Sequence, residues 1–199
     1  MGNVISYMSM SLDGFVAGPN DEVDELHTWS MGGDTEYKVP GSENEVMKVA
    51  PATAKFLRET WPAFGAVIVG RRTFDLSNGW GGKPPLGLPH FVVTHRVPPE
   101  WTTPGSSFTF VTEGVASAVK RATEAAGDEK NVSVSGASII QQFLNARLLD
   151  EIHIDLVPVL LGQGVRLFDS LDAARSMGLQ VSRVVEGRGV IHLRFRVLK

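Results

Sequence analysis

Three short segments of the chain combine glycine, hydroxyl and basic side chains directly after an apolar run. They are Gly70-Arg71-Arg72-Thr73, Thr94-His95-Arg96 and Ser135-Gly136-Ala137-Ser138. Continuous apolar runs rich in valine are typical of strands that are buried on both faces of a parallel sheet. Ligands of open α/β sheets bind outside the carboxyl ends of such strands. The sequence therefore predicts that the three segments meet at one edge of one sheet.

The side chains of these segments favour a phosphorylated ligand. Glycine lets the backbone approach a ligand closely, and hydroxyl and guanidinium groups bind phosphate oxygens. The residues concerned are Gly70, Thr73, Gly136, Ser138, Arg71, Arg72 and Arg96. Two arginine-bearing turns near each other predict a further phosphate, such as the 2′-phosphate that distinguishes NADP from NAD. The alternative for each segment is a simple turn beside solvated arginines, and the coincidence of three segments counts against it.

A fourth segment, residues 9–18, leaves the end of the first predicted strand. Asp13 is its only carboxylate, and it is our candidate for the catalytic acid or for the anchor of a nitrogen heterocycle. The alternative is that Asp13-Gly14 forms only a tight turn. Large aromatic side chains in loop-rich regions are candidate walls of a substrate pocket, although simple packing is their commoner role. The predicted substrate-binding residues are Ser9, Asp13, Trp29, Phe56 and Trp80.

Other kinds of site lack their motifs in this sequence. The first strand is not followed by Gly-x-Gly-x-x-Gly, and the chain contains neither a Walker loop nor Gly-x-Ser-x-Gly. The five histidines have no partners at metal-ligand spacing, and cysteine is absent. We therefore predict that the protein binds no metal.

The pattern of apolar and turn residues predicts eight strands that alternate with helices. The strands are expected at residues 4–9, 66–69, 90–94, 108–111, 131–134, 150–159, 180–185 and 190–197. The helices are expected at about 24–29, 44–60, after residue 70, 112–126 and 137–146. This order predicts an α/β fold of three αβα layers, with a mostly parallel central sheet and an antiparallel C-terminal hairpin. We expect a single domain over residues 1–199.

Composition and charge narrow the class of partner. Of the 199 residues 43% are apolar, and the net charge of −3 favours neither nucleic acid nor an anionic membrane. No apolar run approaches the roughly 18–20 residues that span a bilayer. The absence of cysteine fits the cytoplasm. We therefore expect a cytoplasmic protein that acts on a small molecule, without nucleic-acid or membrane partners.

Several stretches of the chain resemble a known family of reductases. Residues 8–17 resemble the opening of the reductase domain in the bifunctional riboflavin-biosynthesis deaminase-reductase and in its stand-alone relatives. Residues 69–74 resemble the "GRxT" segment shared with dihydrofolate reductases, and residues 134–144 resemble the "GGxxxxxxFL" turn and helix. Residues 149–154, 158–164 and 167–168 are similar to the downstream strand and loop. The resemblance covers nearly the whole chain, with the motifs in the family's order.

The resemblance implies a dihydrofolate-reductase-like fold and NADPH as the hydride donor. By position, residues 70–73 would hold the adenosine phosphates, and residues 94–96 would flank the adenine ribose and its 2′-phosphate. The pyrophosphate would be wrapped by Gly136, Ala137, Ser138 and Ile139, and Ser135 belongs to the same predicted cofactor-binding segment. Val16 and Ala17 would border the nicotinamide. Dimers are common among the riboflavin-type relatives, so we expect a homodimer.

The reaction implied is hydride transfer from NADPH to a C=N or C=O bond of a small pterin-like or ribosylaminopyrimidine-like heterocycle. The chain departs from the family in two respects. No residue aligns with the carboxylate by which folate-reducing enzymes bind the pterin, and we expect no fused deaminase. Two alternatives remain open: a domain that binds a nucleotide cofactor without catalysis, and a flavin-binding member of the same fold.

Overall fold

The computed structural model describes residues 2–42, 45–101, 106–172 and 176–198, and its centre is an eight-stranded sheet. The strands are β1 (Val4–Ser11), β2 (Phe15–Ala17), β3 (Thr35–Lys38), β4 (Val46–Val49), β5 (Phe64–Gly70), β6 (His90–Val93), β7 (Phe108–Val111), β8 (Asn131–Ser135), β9 (Glu151–Val157), β10 (Val165–Arg166), β11 (Leu179–Gly187) and β12 (Val190–Val197). The helices are α1 (Asp24–His27), α2 (Pro51–Thr60), α3 (Arg71–Leu76), α4 (Val115–Ala126) and α5 (Ala137–Asn145).

The large sheet has the strand order β11-β12-β9-β1-β8-β5-β6-β7. From β9 to β7 in this order, neighbouring strands are parallel. The hairpin of β11 and β12 joins β9 in antiparallel orientation. The predicted fold class is therefore confirmed, and all eight strands expected from the sequence belong to this sheet.

The two faces of the sheet are covered differently. Helices α4 and α5 cover one face, where Ala118, Ala122 and Phe143 are fully buried. Helix α2 covers part of the other face and buries Phe56 and Leu57. Burial of a large apolar side chain contributes about 1.5–3 kcal/mol, so these contacts fix the three helices on the sheet. Further towards β5 and β6, the short helix α3 packs Phe74 against Val67, Val69 and Val92, and the loops beside it leave an open space.

The first part of the helix predicted over residues 44–60 is wrong. Residues 46–49 form β4, which alternates between exposed and buried positions and pairs with β3. Helix α2 begins only at Pro51, because proline fits the first position of a helix and holds the preceding residue extended. Ala50 has the corresponding ψ of 152°. Asn44, at which the helix was expected to begin, lies outside the described residues.

The longest helix in the described part of the chain is α4, with 12 residues. It begins at Val115 rather than at residue 112, because Gly114 precedes it with a φ of +86° and interrupts the helical backbone. Among the helices of the described ranges, none combines the length and the apolar character that crossing a membrane requires.

Candidate active site

The three segments predicted to bind phosphate lie at neighbouring strand ends. Strands β6, β5 and β8 are adjacent, with Gly70 opposite Val93 and Val69 opposite Ser135. Adjacent strands are separated by about 4.8 Å, so the three strand ends span about 10 Å. The structure therefore brings the segments together at one edge of the sheet, as the sequence predicts.

Four residues form what we call the glycine cradle: Gly70, Thr73, Gly136 and Ile139. A Cβ atom on Gly136 would lie 2.7 Å from Oγ1 of Thr73, and one on Gly70 would lie 2.8 Å from Cγ1 of Ile139. Gly136 has a φ of +103° and immediately precedes the nine-residue α5. The N–H groups of the first turn of α5 lack partners within the helix and, with the helix dipole, favour an anion. The cradle therefore fits a phosphate group, such as the pyrophosphate of NADPH.

Two of the predicted phosphate-binding arginines already pair with carboxylates. Nε of Arg71 donates to both oxygens of Asp75 at 2.7 and 2.8 Å, and Nη1 donates to the carbonyl of Arg96 at 3.0 Å. Arg72 donates to Asp21 at 3.0 and 2.6 Å. Ion pairs between exposed side chains contribute about 1 kcal/mol or less, so a bound phosphate can replace either carboxylate.

The segment after β6 supplies accessible side chains beside these arginines. Oγ1 of Thr94 donates to the carbonyl of Arg96 at 2.9 Å, which closes a small turn. The side chains of His95 and Arg96 are exposed. Helix α3 has only six residues, so its dipole is small, and anion binding here depends on side chains.

A cavity of about 1090 Å³ opens beside the glycine cradle. The sheet forms its floor through Tyr7, Ser9, Val67, Val69, His90, Ser133, Ser135 and Asp155. Its walls come from His27, Trp29, Ser30, Val39, Gly41, Ser42, Glu45, Met47, Trp61, Trp80, Lys83, Pro84, Pro85 and Leu86. Thr73 belongs both to the cradle and to the lining, so the cradle lies directly beside the cavity. Ligand pockets typically measure about 300–1,000 Å³, so this one has room for a small heterocycle and part of a cofactor.

Three of the predicted substrate-binding residues line the cavity: Ser9, Trp29 and Trp80. Phe56 does not line it. This side chain is only 1% exposed and stacks on His192 with ring centroids 4.2 Å apart. It belongs to the core under α2, because it lies on the buried face of this helix, where its ring packs against β12.

Val16 and Ala17 lie in β2 and are buried. Ala17 pairs with Val165 of β10, and its carbonyl oxygen lies so close to the turn at Gly164 that a Cβ there would approach it to 2.1 Å. Neither residue lines the cavity. Their contact with the nicotinamide remains a prediction.

The carboxylate of Asp13 ties two loops together and does not line the cavity. Its Oδ1 accepts hydrogen bonds from the hydroxyl of Ser11 at 2.6 Å and from the N–H of Leu161 at 3.2 Å. Its Oδ2 accepts one from the N–H of Gly162 at 2.7 Å. The hydrogen bond from Ser11, followed by those from Gly162 and Leu161, lowers the pKa of Asp13 from 3.8 to about 2. Asp13 is therefore ionised at neutral pH and holds no proton to donate.

We expect Asp13→Asn to lower the free energy of unfolding at neutral pH, because the amide offers an N–H where Gly162 also presents one. A native pKa below the unfolded value stabilises the fold above pH 3.8, and this stabilisation is lost as the pH falls towards 2. The difference between the unmodified protein and the variant should therefore shrink below pH 3.8. Urea unfolding at a series of pH values measures it, with Asp128→Asn at an exposed loop carboxylate as the control. A difference independent of pH would contradict this role.

The sequence reasoning missed a buried polar network in the cavity floor. Oδ1 of Asp155 lies 2.6 Å from Nδ1 of His192, and Oδ2 accepts a hydrogen bond from the hydroxyl of Tyr7 at 2.9 Å. The Tyr7 oxygen accepts one from Nε1 of Trp61 at 3.3 Å, and Nε2 of His192 lies 3.0 Å from Oγ1 of Thr53. Burial, followed by the charge of Asp155, raises the pKa of Tyr7 well above its ordinary value, so Tyr7 keeps its proton.

One signal in the sequence could have found this network. Tyr7 and Ser9 occupy alternate positions of β1, and Asp155 follows Glu151 and His153 at alternate positions of β9. Alternate residues of a strand point to the same face, so polar side chains at this spacing indicate a polar patch on a covered sheet. Their partner His192 follows in the last strand and cannot be assigned from spacing alone.

A second imidazole in the floor, that of His90, is neutral. Burial lowers the pKa of His90 from 6.5 to about 4, and Nδ1 lies 2.9 Å from the carbonyl of Leu88. The ring contacts Trp80 edge to face at 5.4 Å. His90 therefore adds a neutral aromatic surface rather than a positive charge to the cavity.

Comparison with known proteins identifies the family. Residues 3–191 match the model of the RibD C-terminal domain. The chain belongs to this family. The uncharacterized protein YwjB of Bacillus subtilis (strain 168) is 24% identical over 173 residues, which cover 84% of this chain and 83% of YwjB.

Solved structures agree with this family and its fold. A protein of Shewanella sp. PV-4 named for riboflavin biosynthesis has a TM-score of 0.71, 21% identity and 99% coverage of both chains. The diaminohydroxyphosphoribosylaminopyrimidine deaminase/5-amino-6-(5-phosphoribosylamino)uracil reductase of Thermotoga maritima has a TM-score of 0.61 and 12% identity, covering 99% of this chain and 57% of that one. Dihydrofolate reductase from Enterococcus faecalis complexed with NADP(H) has a TM-score of 0.54 and 13% identity, with coverage of 100% and 98%. This RibD-type domain therefore has the fold of a reductase.

The first long helix of this RibD-type domain offers the cavity no carboxylate. Glu59 is the acidic residue of α2, and it pairs with Arg183 of β11 at 2.7 Å. It does not line the cavity. The departure from folate-reducing enzymes that the sequence indicates is therefore also visible in the structure.

Proposed function

We propose that the protein is an NADPH-dependent reductase that transfers a hydride to a C=N or C=O bond of a small heterocyclic substrate. The observation that carries this proposal is that Thr73 belongs both to the glycine cradle and to the lining of the large cavity. A dinucleotide with its pyrophosphate in the cradle has space for its nicotinamide end in the cavity. The fold shared with a dihydrofolate reductase complexed with NADP(H) supports the choice of cofactor.

In this proposal the chain binds and orients the reactants, and bound NADPH supplies the hydride. The residues that would hold its phosphates and ribose are Gly70, Arg71, Arg72, Thr73, Thr94, His95, Arg96, Ser135, Gly136, Ala137, Ser138 and Ile139. Trp29 and Trp80 would form walls beside the substrate. Reduction of a C=N bond forms a C–H bond from the hydride and moves the π electrons to nitrogen, which takes a proton. We assign this proton to solvent, because Asp13 is ionised at neutral pH.

The test is oxidation of NADPH by the purified protein, followed by the absorbance of the reduced nicotinamide. The substrates are 5-amino-6-(5-phosphoribosylamino)uracil, which the Thermotoga protein is named for reducing, and a dihydropterin. We expect turnover with at least one of them. Tight NADPH binding without turnover of any heterocycle would favour a non-catalytic nucleotide-binding protein, and a yellow purified protein would favour a flavin.

We also propose that the protein forms a homodimer through β11. This strand is at the edge of the large sheet, and its exposed apolar side chains include Leu179, Val181 and Val184. A long apolar edge strand can pair with another strand. Two copies related by a two-fold axis would pair the free backbone N–H and C=O groups of their edge strands with each other. Antiparallel pairing of two β11 strands would extend the sheet through the dimer.

We expect Val181→Lys to convert the dimer to a monomer, because it places a charge at this edge. Light scattering after size exclusion measures the mass. Val46→Lys is the matched control, since Val46 is an exposed valine of β4, which pairs with β3 in a separate sheet. A monomeric unmodified protein at micromolar concentration would overturn the dimer.

A further inference from the structure

The carboxylate of Asp155 lines the cavity although it is only 3% exposed. Glu45 is the other acidic residue among the described residues of the lining, and it is exposed at the wall. Burial of an ionisable carboxyl group is costly unless the group is well bonded. A carboxylate at the floor of a cavity is therefore expected to have a role there.

The surrounding network fixes the orientation of this carboxylate. Tyr7 bonds one carboxylate oxygen and is itself bonded by Trp61. His192 bonds the other oxygen and is itself bonded by Thr53. His192 is fully buried, so its ring is held from all sides. An orientation fixed in advance lowers the cost of binding a ligand in one defined pose.

The network leaves part of the carboxylate available to a ligand. A carboxylate has about four lone-pair sites on its two oxygens, and Tyr7 and His192 use one on each. Because burial holds the pKa of Tyr7 well above its ordinary value, Tyr7 keeps its proton and remains a donor to the oxygen that it bonds. Ser9, the register partner of Asp155 on β1, adds a hydroxyl to the same lining.

We propose that Asp155 determines substrate specificity by accepting hydrogen bonds from adjacent N–H groups of the substrate. Tyr7 and His192 are its positioning residues, with Thr53 behind His192. The cavity thus selects nitrogen heterocycles that present amino or ring N–H donors over those of the same shape that present only acceptors. This inference rests on the proposed function, since only a reductase has the substrate that we name here. The preference of the cavity for N–H donors can be measured without a cofactor.

The test compares two probes of similar shape, 2,4-diaminopyrimidine and 2,4-dimethoxypyrimidine, by ligand-observed NMR without cofactor. We expect the unmodified protein to bind the diamino probe at least about tenfold more tightly, a difference of about 1.4 kcal/mol. Asp155→Asn should abolish this preference, because the amide has one acceptor atom where the carboxylate has two. Tyr7→Phe should reduce it about threefold by loosening the carboxylate.

The matched control is Glu151→Gln, four residues earlier on β9. Glu151 also bonds a histidine, with 2.8 Å to Nε2 of His153, but it does not line the cavity. This variant should keep the full preference. A folded Asp155→Asn protein with the original preference would overturn the proposal, and so would an unmodified protein without preference. If Asp155→Asn does not fold, an unchanged preference in Tyr7→Phe overturns it.

NADPH titration of the same samples separates this inference from the proposed function. An unmodified protein that prefers the diamino probe but does not bind NADPH contradicts the proposed function alone. A protein that binds and oxidises NADPH but shows no donor preference contradicts only the role of Asp155.

Discussion

Replacement of Gly136 by alanine should weaken NADPH binding about 100-fold, which corresponds to about 2.7 kcal/mol. The new Cβ would lie 2.7 Å from Oγ1 of Thr73, so the side chain of Thr73, a part of the cradle in which we place the pyrophosphate, would have to shift. Alanine also disfavours the φ of +103° and would disturb the first turn of α5. Fluorescence titration with NADPH measures the loss.

Gly114→Ala is the control that separates backbone strain from obstruction of the cradle. Gly114 precedes α4 as Gly136 precedes α5, and it has a similar φ of +86°, but a Cβ there would meet no atom within 4 Å. We expect both variants to lose stability and only Gly136→Ala to lose NADPH affinity. Equal affinity in the two variants would show that the cradle does not hold the cofactor.

Replacement of Arg71, Arg72 and Arg96 together by alanine should erase the preference for NADPH over NADH. In the unmodified protein we expect NADPH to bind at least about tenfold more tightly, a difference of about 1.4 kcal/mol. The physical reason is the charge of the 2′-phosphate, which guanidinium groups bind more strongly than a neutral ribose hydroxyl. Parallel titrations with both cofactors measure the ratio.

The control for the triple variant is Arg196→Ala. Arg196 is an exposed arginine of β12, which lies near the other edge of the large sheet from β5 and β6. It should leave the ratio of the two affinities unchanged. The single variants then divide the effect, since Arg71 pairs with Asp75 and Arg72 with Asp21 before a phosphate binds. Equal affinity of the unmodified protein for both cofactors would falsify the assignment of the 2′-phosphate site.

Local patterns of residues were sufficient to predict most of the fold. The valine-rich run before Gly70 and the alternation in residues 190–197 mark strands whose partners follow from the α/β order. The prediction failed over residues 46–49, where a strand pairs with β3 to form a small separate sheet. Neither strand is long enough to be told from a helix by its pattern alone, since both have four residues.

The two halves of the candidate site differ in how far sequence can predict them. The glycine cradle depends on residues directly after strands, so its position follows once the strand order is known. The polar floor depends on partners far apart in the chain, such as Tyr7 and Asp155 or Asp155 and His192. Asp13 illustrates the same limit. Its partners Leu161 and Gly162 are far away in the sequence, and their hydrogen bonds make its carboxylate a contact between two loops.

The most direct test of NADPH binding beside the cavity is a crystal structure of the protein soaked with NADPH. We expect the pyrophosphate between Gly136 and Thr73, at the first turn of α5, and the nicotinamide ring in the cavity. The space left beside the ring would then show where the substrate binds relative to Asp155. Phosphate density at another edge of the sheet, or an empty cradle at saturating NADPH, would contradict the proposed function.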